Sequence, residues 1–361
     1  MRKITVVGAG KGGHAIAGYT ALLGNEVTLL THTKRKADIM KERNNQILLQ
    51  GIINGEAQLK ETTMNVESAV RDSELIFIVT DATAHQAYAK KMAPYLQNQK
   101  VILISPGVGG ALEFYKIIKE FNPEADVTVS ETDTLIYACN VPQIGESHIK
   151  AQKNSIIFTT MPENKSIESE IQRLYPQFKD VNEPLMGVDD SPVFHICGMI
   201  FNADRINKKE DFNFYIDGIT PDVARYMEEM DEERCEIAKA LGISYRPIKQ
   251  WLNIVYGVPV SDLYMMIQHT PPYQNTLEMP NRSPAPKSLI HRYLIEEILL
   301  RAVPTSSIGK ALEIETPKYD EMIQRATDLT GINFREQGRK IEDMGLNQEQ
   351  IINWKYRTRN I

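Results

Sequence analysis

Three groups of residues in this chain have types and spacing suited to chemistry. The first is Gly8-Ala9-Gly10-Lys11-Gly12-Gly13, a G-x-G-x-x-G run. In such a run Gly8 permits a tight turn, Gly10 lets the backbone approach a pyrophosphate, and Gly13 lets the next helix pack on its strand. The first N–H groups of that helix, around Lys11 and Gly12, are then free to face phosphates. The second is His195, in a stretch from Val193 to Phe201 that is otherwise nearly all apolar. A polar ring among such neighbours needs a partner. Burial and a helix N-terminus favour the neutral imidazole, a carboxylate nearby favours the charged one, and a ring so poised is suited to acid/base work. A core histidine with a satisfied ring is the competing account. Asn202 lies seven residues on, on the same helical face. The third is His291-Arg292-Tyr293-Leu294-Ile295-Glu296-Glu297. Here Arg292 could grip a substrate carboxylate with paired bonds, and Glu297 or Glu296 could orient His195. Taken alone, these charges equally suit a solvated helix face.

Thr31-His32-Thr33-Lys34-Arg35 closes the strand–helix–strand unit that carries the glycines. An NAD enzyme usually places an acid there, bonded to the ribose 2′-hydroxyl. This chain offers Thr31, Lys34 and Arg35 instead, which suit a 2′-phosphate, so NADP is favoured over NAD. The alternative is that Lys34 and Arg35 are ordinary charges at an exposed helix start, although the helix dipole disfavours cations there.

Those residues need a scaffold, and the hydrophobic pattern predicts one. Short apolar runs at Lys3 to Gly8, Glu26 to Thr31, Glu74 to Thr80 and Lys100 to Ser105 read as buried strands between helices, the pattern of a parallel sheet covered on both faces. Segments near Ile47 to Thr63 and His148 to Thr160 read as further, more polar strands. Beyond about residue 180 only helical patterns remain. Asp190-Ser191-Pro192 predicts a helix start with Ser191 as cap. Thr220-Pro221 opens a helix to Leu241 that stops at Gly242, with Arg234 on its apolar stripe beside Asp231, an ion pair with a structural role. Further helices are expected at Ser288 to Ala302, Tyr319 to Leu329 and Asn347 to Lys355. The expected fold is an α/β Rossmann-type nucleotide-binding domain over residues 1–182, followed by an all-α substrate and catalytic domain over 183–361. With no low-complexity linker, the domains are expected to pack closely around a cleft.

Composition narrows the partners. The chain has 361 residues, a formal net charge of -6 and a pI of about 5.8, which point away from nucleic acid and anionic membranes. No apolar run is long enough to span a bilayer, and the first residues lead straight into a strand pattern rather than a signal peptide. The three cysteines are far apart with no C-x-x-C, so neither a metal site nor a disulfide framework is expected, and a reducing cytoplasm is the simplest compartment.

The combined pattern resembles the opine dehydrogenases, the octopine/nopaline dehydrogenase family, over nearly the whole chain. The resemblance rests on the glycine loop, Glu131-Thr132-Asp133-Thr134-Leu135-Ile136-Tyr137-Ala138-Cys139, Pro192-Val193-Phe194-His195, and Phe214-Tyr215-Ile216-Asp217-Gly218-Ile219-Thr220-Pro221 running into Asp231-Glu232-Glu233-Arg234. It extends to Arg292-Tyr293-Leu294 with Glu296-Glu297, and to Gly338-Arg339-Lys340-Ile341-Glu342. It implies substrates bound between the two domains, and condensation of an amino acid with a 2-keto acid such as pyruvate. The imine is then reduced by NAD(P)H to an N-(1-carboxyalkyl)amino acid. It further implies His195 as acid/base, Glu297 in the place of the family's aspartate, Arg292 on a substrate carboxylate and Cys139 on the keto-acid side. Asn202 joins the expected substrate contacts, and the helical domain has apolar surface enough for a homodimer. Glu297 for aspartate, Ile295 for the family's threonine, and Thr80-Asp81-Ala82-Thr83-Ala84-His85 depart from the family pattern. Two other functions fit the residues: an NADP-dependent 2-keto acid or ketone reductase without an amine partner, and a non-catalytic NADP(H)-binding protein.

Overall fold

Alternation of short apolar runs with helices builds the first unit strand by strand. The computed structural model describes residues 1–189, 191–275 and 283–354, and the chain divides into two units, Met1–Pro184 and Leu185–Ile361. The first unit runs β1 (Lys3–Val7), α1 (Lys11–Leu22), β2 (Glu26–Leu30), α2 (Lys34–Glu42), β3 (Gln46–Gly51), β4 (Gly55–Gln58), β5 (Glu61–Thr63), α3 (Val66–Val70), β6 (Leu75–Ile78) and α4 (His85–Met92). It continues through β7 (Lys100–Leu103), α5 (Gly110–Phe121), β8 (Thr128–Thr132), β9 (Tyr137–Asn140), β10 (Glu146–Gln152), β11 (Ile156–Met161), α6 (Ile167–Gln172) and β12 (Phe178–Asp180).

Eight strands form one sheet in the order β12-β11-β8-β7-β6-β1-β2-β5, parallel except where β11 meets β8. β1 pairs with β2 on one side and β6 on the other, Val6 standing opposite Leu29 and Phe77. The strand order therefore reverses beside β1, and the loop leaving its carboxyl end opens on the switch point where such sheets bind ligands. Apolar cores lie on both faces, one around Val6, Leu29 and Phe77, the other around Val7, Ile76 and Leu103. That is why β6 reads as an unbroken apolar run and β1 as one interrupted only by the buried Thr5.

The extra polar strands expected from the sequence divide between two places. β5 and β11 extend the main sheet, whereas β3, β4 and β10 join β9 in a second sheet, ordered β4-β3-β10-β9. α1 packs on strands of both sheets. Gly18 makes this contact feasible, since a Cβ there would lie 2.8 Å from the Leu49 side chain.

The second unit is helical: α7 (Val193–Phe201), α8 (Ala203–Asn207), α9 (Pro221–Leu241), α10 (Ile248–Tyr256), α11 (Leu263–Gln268), α12 (Arg292–Glu297), α13 (Val303–Ala311), α14 (Pro317–Thr330), α15 (Phe334–Gln337) and α16 (Gln348–Ile352). α9 starts as expected, with Thr220 Oγ1 accepting from the Val223 N–H, and ends at Gly242 in the left-handed conformation. The start of α7 differs. Ser191 makes no cap; its hydroxyl donates to Asp231 instead, at 3.0 Å, and Pro192 stands at the cap position. Asp190 and Lys355, named at the ends of expected helices, lie outside the described residues. The helix expected over Ser288 to Ala302 begins later, at Arg292, where His291 Nδ1 accepts from the Tyr293 N–H. It also continues to Ala311, passing through a π-helical turn at Ile298–Ala302 before Pro304. Proline lacks the N–H that a regular turn would use there, and the wider turn precedes it. Among the described residues, no helix is long and apolar enough to cross a membrane, and no cluster of His, Cys, Asp or Glu could hold a metal ion.

Candidate active site

The glycine loop leaves β1 and enters α1. Gly8 has φ +109°, and a Cβ on it would lie 2.9 Å from the Val79 carbonyl oxygen. Gly13 is tighter still: its Cβ would fall 1.7 Å from the Gly8 carbonyl oxygen, so only glycine lets α1 start this close to β1. Gly10 is different, because no protein atom lies within 4 Å of where its Cβ would be. The protein itself does not require glycine there, whereas a pyrophosphate approaching that backbone would. The loop therefore fits a dinucleotide, which would rest on the N–H groups entering α1 near Lys11 and Gly12.

Two side chains not singled out by sequence brace this loop. Lys36 Nζ donates to the Ala9 carbonyl at 2.8 Å. His14 is fully buried; its Nδ1 lies 2.9 Å from the Gly10 carbonyl, and its Nε2 accepts from the Gly145 N–H at 3.2 Å. These bonds require a neutral ring with the proton on Nδ1, and burial lowers the His14 pKa accordingly. Thr31 is buried, its hydroxyl accepting from the Thr33 N–H at 3.2 Å. Lys34 is exposed and reaches Asp38 at 3.6 Å, while Arg35 makes no hydrogen bond or ion pair among the described residues. Cys139 sits on β9, half-buried; burial raises its thiol pKa, partly offset by the charge of Lys11.

In the helical unit the structure brings His195 and Glu297 together. His195 Nδ1 lies 2.9 Å from Glu297 Oε1, and Glu297 Oε2 lies 3.4 Å from Arg301 Nε. Burial works to raise the Glu297 carboxyl, but the positive charge of Arg301, the bond to His195 and the charge of Arg292 bring it below the ordinary glutamate range. Glu297 is thus a carboxylate that accepts from the Nδ1–H, which leaves Nε2 as the acceptor. Tyr293 stacks on the imidazole at 4.0 Å between centroids and 6° between planes, and the Tyr215 hydroxyl lies 3.2 Å from Nε2. The imidazole keeps 28% of its side-chain surface exposed, so it is held without being sealed off.

The other residues expected at the site have different direct partners. Glu296 faces Arg292, 3.2 Å away, and not His195. Arg292 remains 54% exposed at its side chain, free to meet a ligand. Asn202 is committed to the fold: its amide donates to the carbonyls of Gly198 and Gly218 at 2.9 and 2.8 Å, and its oxygen accepts from Arg205. As the C-cap of α7, it lies at the opposite end of that helix from His195. A place on the same helical face did not bring it to the same site. Arg301 and Tyr293 could have been found by spacing, one being four residues after Glu297 and the other beside Arg292. Lys36 carries no comparable signal.

Comparison with known proteins identifies the family and the fold. Residues 189–330 match the model of the NAD/NADP octopine/nopaline dehydrogenase alpha-helical domain, and residues 3–130 match that of the NAD-dependent glycerol-3-phosphate dehydrogenase N-terminus. An opine dehydrogenase of Arthrobacter sp. (strain 1C) is 31% identical over 346 residues, covering 94% of each chain. The chain belongs to the opine dehydrogenase family. It is accordingly an NAD(P)-dependent oxidoreductase acting on CH–NH groups. An octopine dehydrogenase solved with NADH and L-arginine shares the opine dehydrogenase fold with it, with a TM-score of 0.82 and 21% identity over 98% of each chain. A yersinopine dehydrogenase solved with NADP+ has a TM-score of 0.76 and 15% identity over 99% of each chain.

Proposed function

We propose that the chain condenses an amino acid with a 2-keto acid and reduces the resulting imine with NAD(P)H, using His195 as acid/base and Glu297 as the carboxylate that orients it. The observation that carries this reading is the His195–Glu297 pair at 2.9 Å, with the imidazole partly exposed. The bound nicotinamide cofactor supplies the hydride; the residues handle protons and charge. An amino acid meets the enzyme as an ammonium and must lose a proton before its nitrogen can attack the keto carbon. A neutral imidazole serves as the acceptor, and Glu297 stabilises the imidazolium that forms. The same proton returns when the carbinolamine loses water. Arg292 is the exposed guanidinium suited to a substrate carboxylate, and Cys139 offers a neutral thiol on the keto-acid side. The amino acid seen with an octopine dehydrogenase is L-arginine, and the keto acid is pyruvate.

NADP(H) is the preferred cofactor in this reading. Its support is Thr31 and an Arg35 that has no partner among the described residues, with no acid at the end of β2. The reading keeps a reducing cytoplasm, supported by three free cysteines, and a homodimer, supported by exposed apolar side chains of the helical unit such as Ile254 and Val260.

The test is NADPH oxidation against pyruvate with and without a pool of amino acids, followed by mass analysis. Oxidation that requires both, with a product equal in mass to the condensed and reduced pair, is expected. Oxidation with keto acid alone would assign the protein to the ketone reductases.

A further inference from the structure

Glu297 occupies Nδ1 of His195, so protons must enter and leave that ring through Nε2. This nitrogen already has a neighbour, the Tyr215 hydroxyl at 3.2 Å. Since Nε2 is the acceptor in the tautomer that Glu297 selects, Tyr215 donates to it. Burial, helped by the negative charge of Glu297, pushes the Tyr215 phenol far above its ordinary range, which keeps it a donor. The ring is also held in place. It stacks on Tyr273 at 4.0 Å and 15°, meets Phe194 and Phe214 edge-on, and its backbone N–H donates to Asn213 Oδ1 at 3.0 Å. A phenol that donates its proton still has lone pairs with which to accept another.

We propose that Tyr215 is a catalytic residue, a proton relay between the reacting substrate and His195. The inference rests on the reductive condensation described above. The substrate ammonium donates to Tyr215 Oη while the phenolic proton passes to His195 Nε2. One N–H bond of the substrate breaks and a new phenolic O–H forms; the old O–H breaks and an Nε2–H forms. Tyr215 is neutral before and after, no electron is transferred, and the positive charge moves from substrate to imidazole, where Glu297 meets it. Run backwards, the relay delivers the proton to the carbinolamine hydroxyl, which leaves as water.

Tyr215→Phe keeps the ring and its stacking and removes only the hydroxyl. With the amino acid and keto acid that the wild-type enzyme uses, kcat should fall by roughly 10²-fold, the lower end of the range for acid/base groups, while the KM for NADPH holds. A wild-type proton inventory in H2O/D2O mixtures should be bowed, as two protons move together, and that of Tyr215→Phe should be linear. An unchanged kcat, or a lowered kcat with the bow retained, would overturn the relay. A second measurement needs no variant: 15N NMR of wild-type His195 at about pH 8 should show the proton on Nδ1 and Nε2 as a hydrogen-bonded acceptor. A proton on Nε2 instead would also overturn it. A wild-type protein that turns over no amine and keto acid pair would bring down the reading of function, and the relay with it.

Discussion

Glu297 and Arg301 govern what His195 can do. The carboxylate fixes the imidazole tautomer and meets its charge, and Arg301 in turn keeps the carboxylate ionised. Glu297→Ala should therefore lower kcat by roughly 10²–10⁴-fold, as His195→Ala should, with cofactor affinity unchanged in both. Stopped-flow turnover beside NADPH titration separates the two quantities, and an unchanged kcat in either variant would remove that residue from the mechanism. Arg292 has a different task. Removing it breaks an ion pair with the buried Glu296 and withdraws a positive charge that helps keep Glu297 ionised, so some stability should be lost as well. If it holds a substrate carboxylate as proposed, the catalytic effect belongs in the substrate KM, raised with kcat little altered, because uniform binding is lost. A change confined to NADPH affinity would contradict that role. Sequence carried this site unevenly. The meeting of His195 with a carboxylate of the Glu296-Glu297 pair was legible, and the extra methylene of Glu297 relative to the family's aspartate still allows the 2.9 Å contact. The choice of Glu297 over Glu296 was not, since which of two adjacent carboxylates faces the ring depends on the packing of α12 on α7.

At the scale of elements, the turn from β1 into α1 and the start of α2 are the proposed cofactor end of the first unit. Replacing Lys34 and Arg35 with alanine should weaken NADPH more than NADH, and Arg35 should account for most of the difference, because Lys34 is already engaged with Asp38. Equal losses for both cofactors would argue against a 2′-phosphate site. His14 adds a pH dependence. Burial lowers its pKa below the ordinary 6.5, so on acidification the unfolded chain takes up a proton before the folded one does. The His14 contribution is therefore free of penalty above that value and turns destabilising as pH falls through it and below, towards the lowered folded pKa. Denaturant unfolding between about pH 7.5 and 5 should show this loss, and His14→Asn, which does not titrate, should flatten it. An identical slope in the variant would assign the dependence to another group. His14 was hidden in the sequence because its two partners, Gly10 and Gly145, are backbone groups, one of them far along the chain.

Over the whole molecule, local pattern revealed the parallel strands and the long helices, whereas distant pairing escaped it. β3 pairs with β10 across almost a hundred residues, and nothing in either strand distinguishes that partner from the main sheet. The helix expected to end at Ala302 similarly runs on, a π-helical turn carrying it past Pro304 to Ala311. Arg234 is the reverse case, a structural role legible in advance whose full extent only the fold reveals. It is completely buried in α9 and donates to Asp231 at 2.9 Å and to the carbonyls of Val188 and Arg246 at 3.1 and 2.6 Å. Asp231 also accepts from Ser191, two residues before α7, and from the backbone N–H of Ile248 at the start of α10. The Arg234–Asp231 pair thus ties together Val188 at the entry to the helical unit, Ser191 just before α7 and the head of α10. Burial alone would favour a neutral guanidine, but Asp231 holds it charged. Arg234→Ala would leave the Asp231 carboxylate buried without its cation, a change that costs about 3–5 kcal/mol. Denaturant unfolding should show that loss, while NADPH affinity of the folded variant, assigned by the proposal to the glycine loop of the first unit, should hold. A loss below about 1 kcal/mol, the worth of a surface pair, would mean that the network is not what holds the helical unit together.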